Sequence, residues 1–215
     1  MLKAYLCSSF FVGTKTMKKI GLILMILTVV ALSACNKSVT READALYKQG
    51  KYKEAIAAYD EYLTTKPKDL KSLYNRGRAH EEVGNLSQAK EDFESVLQLD
   101  ADNLNANLSM GKYWYNQKDF TKAIYYFDKV LEVDGRVSTA YLLKGRSLHQ
   151  QGEFPKAKEN YDQAINFDNK NPEAFLYRGA LKIALNQTRG ACNDFNRAKA
   201  LGASEANDAL AKYCK

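Results

Sequence analysis

Histidine is almost missing from this chain, with two in 215 residues, His80 and His149, and only three prolines and one tryptophan accompany them. Two distant histidines cannot assemble a metal centre or a histidine-based catalytic pair in one stretch of chain. The motifs that carry much of hydrolytic and phosphoryl-transfer chemistry are absent too: no phosphate loop, no H-E-x-x-H, no G-x-S-x-G. The acidic run Asp100-Ala101-Asp102-Asn103 looks briefly like a calcium loop. Its sixth place, however, is Asn105 where a glycine is needed, and its twelfth is Gly111 where a glutamate is needed. No cofactor, no metal and no enzymatic activity are expected. The scarcity of proline, with 46% hydrophobic and 27% charged residues, suits a helical protein.

A strong charge of one sign is also lacking once the chain is divided. The formal charge is +7, but residues 1–35 hold Lys3, Lys15, Lys18 and Lys19 and no acid, leaving 28 basic against 25 acidic residues beyond them. So balanced a chain has no electrostatic basis for nucleic-acid binding. Nor is there a long apolar run. The most apolar segment, Ile20 to Ala34, contains Thr28 and Ser33. It falls short of the roughly 20 apolar residues that a helical membrane span requires.

What that segment does have is the order of an export signal: Lys18 and Lys19, a short apolar core, then small residues. Its end, Leu32-Ser33-Ala34-Cys35, resembles the lipobox of bacterial lipoproteins. The resemblance implies that Cys35 is lipidated, that the chain is cut before it, and that residues 1–35 form the signal. Several acyl chains at ~0.8 kcal/mol per buried methylene would make attachment effectively permanent. Counted from Met17 the signal has an ordinary length, so translation is expected to start there. Asn36 follows Cys35, without the Asp tied to inner-membrane retention in some bacteria. The expected location is therefore the cell envelope, on the periplasmic face of the outer membrane.

The rest of the chain repeats itself. Ala55, Ala89, Ala123, Ala157 and Ala191 are each 34 residues apart. So are Tyr59, Phe93, Phe127, Tyr161 and Phe195, and so are Ala43, Gly77, Gly111, Gly145 and Gly179. A small residue, an alanine and an aromatic at this period resemble the tetratricopeptide repeat. The units are 36–69, 70–103, 104–137, 138–171 and 172–205, with 206–215 as a capping helix. The resemblance implies an all-α fold, a right-handed superhelical α-solenoid of five helix pairs plus that cap. The chain departs from the family pattern at the final proline, kept only as Pro67, at Asn107 in an aromatic column, and at Lys182 where an apolar residue is usual. Arg76 with Asp92, and Arg178 with Asp194, recur at matching places and read as ion pairs inside a unit, worth little if exposed.

The resemblance also implies where function sits. In this family the first helix of each unit lines a concave groove, here through Tyr74, Asn75, Arg78, Leu108, Lys112, Tyr115, Leu142, Arg146, His149, Leu176 and Tyr177. The ninth place of successive units reads Asp44, Arg78, Lys112, Arg146, Ala180. Three cations on neighbouring units suit a protein or peptide segment carrying acidic groups. The carboxylate clamp of chaperone-binding relatives is not reproduced by any three consecutive units. The first three, for example, offer Thr40, Asp44, Asn75, Asn105 and Ser109. The expected role is a membrane-anchored interaction scaffold of the cell envelope. Known lipoproteins of similar plan serve outer-membrane barrel assembly and type IV pilus biogenesis. A glycan or small-ligand binder using Trp114 and Tyr115 is the alternative, weakened because Trp114 falls on a core column.

Cys192 and Cys214 remain beyond the signal. One lies on the last repeat helix and one on the cap, and an exported protein meets an oxidising compartment, so a disulfide between them is expected. A first helix beginning near Thr40 leaves about four residues after Cys35, on the order of 14 Å of tether. The array would then rest against the membrane, with Lys37, Arg41, Lys48, Lys51 and Lys53 near anionic headgroups. A mass spectrum of the unprocessed precursor should begin at Met17; a mass that includes residues 1–16 would overturn that start site.

Overall fold

A computed structural model describes residues 40–215. The signal segment and Cys35 lie outside the described residues. The described chain is all helical, without a strand. The eleven described helices are α1 (40–48), α2 (Tyr52–Thr65), α3 (Leu70–Glu82), α4 (Leu86–Leu99), α5 (Leu104–Asn116), α6 (Phe120–Val133), α7 (Ser138–Gln150), α8 (Phe154–Phe167), α9 (Pro172–Ala184), α10 (Thr188–Ala200) and α11 (Glu205–Tyr213). Each helix packs on the next in the chain, which makes a solenoid of antiparallel pairs.

The turn inside each pair needs one residue in the left-handed region. Gly50, Gly84 and Gly152 supply it with φ of 74°, 81° and 79°; Lys118 and Asn186 supply it with φ of 60° and 58°. The backbone closure is the same in both cases. Asp119 N–H donates to Trp114 C=O at 3.0 Å just as Glu153 N–H donates to Leu148 C=O at 2.9 Å. Between pairs, side chains cap the new helix: Asp69 accepts from the Ser72 amide, Asn103 from Ala106, Asn171 from Glu173 and Ala174. The Asp100–Asn103 segment is thus a repeat junction, and Asn103 also donates its side-chain amide to Asp100 at 3.0 Å.

Within a pair the helices approach as closely as the glycine column permits. A Cβ added at Gly77, Gly111, Gly145 or Gly179 would lie 2.7, 2.4, 2.8 or 2.6 Å from the ring of Phe93, Phe127, Tyr161 or Phe195. Each of those rings is 0–1% exposed, and the alanine column Ala55 to Ala191 is equally buried. The departures from the repeat pattern have local solutions. Asn107, 2% exposed, donates to the carbonyls of Ala101 and Asn103 at 2.9 and 3.1 Å. Lys182 reaches Asp194 at 2.8 Å.

The ion pairs differ from the sequence expectation in extent and in burial. Arg76 makes a bidentate contact with Asp92 (2.9 and 2.6 Å) and also reaches back to Asp60 of the preceding unit at 2.7 Å. Arg178 does the same with Asp194 (2.9 and 2.6 Å) and Asp162 (2.7 Å). Asp92 and Asp194 are each 4% exposed, so these are buried staples that join units, not surface pairs. Lys144 at the same place reaches only the preceding unit, Asp128 at 2.6 Å, because Asn160 replaces the second aspartate. Removing one partner of a buried pair strands the other charge. Asp92→Ala should therefore lower stability by about 3 kcal/mol. Asp60→Ala, whose side chain is 56% exposed, should cost less than about 1 kcal/mol. Equilibrium urea unfolding checks the contrast, and equal losses would refute it.

Candidate protein-binding face

The odd-numbered helices come together along one side. α5 lies against α7 and α7 against α9, whereas the even-numbered helices approach one another less. The side where neighbours approach is the inner side of the bend, so the first helix of each unit lines the concave face.

At its N-terminal end this face satisfies itself. Asp44 accepts from the Tyr59 hydroxyl at 2.6 Å, the Asn75 amide at 3.0 Å and Lys71 Nζ at 2.6 Å. Burial raises its carboxyl, and the hydrogen bonds from Lys71, Tyr59 and Asn75 outweigh this, leaving it below the usual carboxylate range. Asn75 is thereby engaged inside the protein. Tyr74 packs at 5.6 Å from the Phe93 ring. Arg78 is paired along its own helix, with Glu81 at 2.8 Å and Glu82 at 3.5 Å. Burial pushes Glu81 above its ordinary value, opposed first by Arg78 and then by Lys112. Lys112 therefore shares the field of a carboxylate already on the face.

The C-terminal half is built differently. The guanidinium carbon of Arg146 stands 4.9 Å from the centre of the Tyr115 ring and 4.4 Å from that of Tyr177. These three residues come from α5, α7 and α9. Tyr177 is stacked on buried Tyr161 at 6.4 Å and 18°, and Tyr115 meets Phe120 edge-on at 5.5 Å. His149 contacts Phe154 and Tyr161 at 5.5 and 6.3 Å, and burial lowers its pKa, which keeps it neutral at pH 7. Among the described residues no carboxylate pairs with Arg146.

Two expectations need correcting. Leu142 does not line the groove: it is 2% exposed, in a core cluster with Ala157, Tyr161, Ala174 and Leu181. Its place in the repeat turns into the seam between units. Leu108 and Leu176 at the same place are half-buried, and Leu176 packs against the cluster of Phe175, Ala198 and Ala206. Nor are the three cations equivalent, since Glu81 and Glu82 pair with Arg78 alone. Their spacing of three and four residues from Arg78 was the available signal. A diagonal signal was missed as well. Tyr115, Arg146 and Tyr177 are separated by 31 residues each, one repeat less one helical turn. Trp114 gives no sugar platform, because its ring packs beside Phe93 and Phe127 in the core clusters and Lys122 Nζ covers it at 4.0 Å.

Comparison with known proteins agrees with this architecture. A model of the tetratricopeptide repeat matches residues 40–89 and 74–139, and a second TPR repeat model matches 145–186. The chain therefore belongs to the tetratricopeptide-repeat family. Among solved structures it is similar to MamA from Desulfovibrio magneticus RS-1, with TM-score 0.72 and 20% identity over 79% of this chain and 96% of that one. It is also similar to PilW, a widely conserved type IV pilus biogenesis factor, with TM-score 0.68 and 21% identity over 83% and 94%. A curated relative is Hsp70-Hsp90 organizing protein 1 of Glycine max, 29% identical over 39% of this chain but only 14% of that protein. The chain thus spans a small part of such relatives. Among the described residues no helix is long and apolar enough to cross a membrane.

At the C-terminal end α11 is tied to α10 by a Cys192–Cys214 disulfide with the Cα atoms 5.7 Å apart. The bond closes a loop with a sequence separation of 22, for which chain entropy predicts a stabilisation of about 3 kcal/mol. Contacts in a solenoid are local, so the effect should be local too. In hydrogen exchange, a Cys192→Ser, Cys214→Ser variant should lose protection in α11 and the end of α10, with α3 to α8 unchanged. Loss spread evenly over the array would refute this.

Proposed function

We propose that this repeat protein is an envelope lipoprotein that holds a segment of a partner protein along its concave face, close to a membrane. The protein-interaction role follows from the family. The observation that carries the finer reading is the position of Cys35. The Leu32-Ser33-Ala34-Cys35 motif stands five residues ahead of Thr40, where the described helix begins, too short a tether to carry the array far from its lipid. The concave face supports binding of an extended segment, since Tyr115, Lys112, Arg146 and Tyr177 are neither fully buried nor used in an ion pair among the described residues. The clamp of chaperone-binding relatives lacks its residues here, so the partners named for the organizing proteins are not carried over. Asn36 after the lipidated cysteine favours the outer membrane.

Two variants test the two halves of the reading. Cys35→Ala should move the protein from the membrane fraction to the soluble fraction and abolish labelling by a clickable fatty acid; retention with the label intact would overturn the anchor. A still-folded Arg78→Glu, Lys112→Glu, Arg146→Glu variant should lose a partner that wild type crosslinks in native membranes. The same partners captured by both proteins would move the search to the convex face and the cap.

A further inference from the structure

From α3 to α9 the first helices carry four arginines, and three of them, with several lysines, are paired with acids among the described residues. Arg76 and Arg178 have two aspartates each, Lys144 has Asp128, and Arg78 has Glu81 and Glu82. Arg146 is the exception. Its Nε, like that of Arg78, is shielded from solvent and donates to no acceptor, but where Arg78 has two carboxylates the guanidinium of Arg146 lies over two tyrosine rings with no carboxylate in ion-pair range among the described residues. Cation–π contacts offset part of the cost of shielding a cation. Neither contact supplies an oxygen acceptor to the N–H groups of the guanidinium. Its in-plane N–H edges are what a planar anion recognises, two parallel bonds at a time.

We infer that Arg146, bracketed by Tyr115 and Tyr177, receives one side-chain carboxylate, an Asp or Glu within the partner segment. This rests on the reading that the concave face binds a protein segment. One cation with no carboxylate in ion-pair range among the described residues matches one carboxylate. A phosphate carries about −1.5 to −2 charges and would need a second cation, whereas the neighbouring Lys112 already lies in the field of Glu81. A side chain within the segment is favoured over a chain terminus by the residue one unit on from Arg146. Ala180, at the same place one unit on, is small and exposed, so a bound segment can run past. The N-terminal half, with Asp44 and Arg78 both compensated, contributes shape and not charge recognition.

The test uses the full chain, disulfide intact, on two synthetic random-peptide libraries. One is immobilised through its C terminus, so that only internal carboxylates are offered; the other is immobilised through its N terminus and offers a free terminal carboxylate. Wild type should select from the first library peptides with Asp or Glu fixed at one position. Replacing that acid by its amide should weaken binding roughly ten- to a hundredfold, the range expected for a charged hydrogen-bonded pair. Arg146→Gln should lose the acidic preference, Arg146→Lys should keep part of it, and Arg78→Gln should retain it in full. Because the peptide substitution leaves the protein untouched, the proposal stays testable even if Arg146→Gln unfolds. Selected peptides without a preferred acid, an unchanged preference in folded Arg146→Gln, or acids recognised only at a free C terminus would each overturn it. Peptides from neither library bound by wild type would overturn the concave-face reading itself.

Discussion

An aromatic ring laid on bare helix backbone is the contact on which this array depends. In four units the ring of Phe93, Phe127, Tyr161 or Phe195 fills the space that a glycine leaves without a Cβ. Glycine inside a helix costs about 0.5–1 kcal/mol relative to alanine. Full burial of one large apolar side chain contributes about 1.5–3 kcal/mol, so the exchange favours the ring. The contact also sets the spacing of the pair. Because the same spacing recurs at every unit, side chains on the first helices repeat in space as well as in sequence. A binding face made of isolated side chains on separate helices is possible only on such a regular frame.

Salt bridges act at a second level, joining units that the rings have shaped. Arg76 and Arg178 each clasp a buried aspartate of their own unit and a more exposed one of the unit before. The third unit has no such staple. Met110 stands where the arginine would be, fully buried, and Tyr126 stands where the aspartate would be. Apolar packing of Met110 with Ala89, Phe93, Trp114 and Tyr126 takes its place. The substitutions are paired, as they must be: an aspartate left there without its arginine would be a buried charge with no partner.

How much of this is legible in the letters depends on the range of the interaction. The columns of small, alanine and aromatic residues are legible because each is a steric demand repeated at one period, and the solenoid follows from them. The disulfide cysteines are legible because antiparallel packing of the last helices brings their ends together. The binding face is legible only in outline. Leu142 shares its repeat position with half-buried residues, and only the seam with Ala174 and Leu181 draws it fully inside. Arg78 and Arg146 occupy the same column, yet one is neutralised by Glu81 and Glu82 and the other lies over two tyrosine rings. A column view hides this, since the deciding neighbours lie one helical turn along the same helix or 31 residues away on the next.

That contrast separates the residues that hold the array together from those it leaves available. A shielded cation is tolerated when its counter-charge is close, as at Arg76, Arg78 and Arg178. Arg146 meets the same partial burial with aromatic faces only, which offset less than a carboxylate would. A protein under selection for stability alone could place a glutamate three or four residues along α7, as α3 does with Glu81 and Glu82; α7 has His149 and Gln150 there instead. His149 is held neutral by burial, so it neither compensates nor repels. Among the described residues this face therefore keeps one guanidinium without a carboxylate partner, where neighbouring helices converge. Local inconsistency inside a consistent frame is where function is to be sought. Here no acidic group among the described residues pairs with Arg146, and the proposed partner carboxylate would supply one.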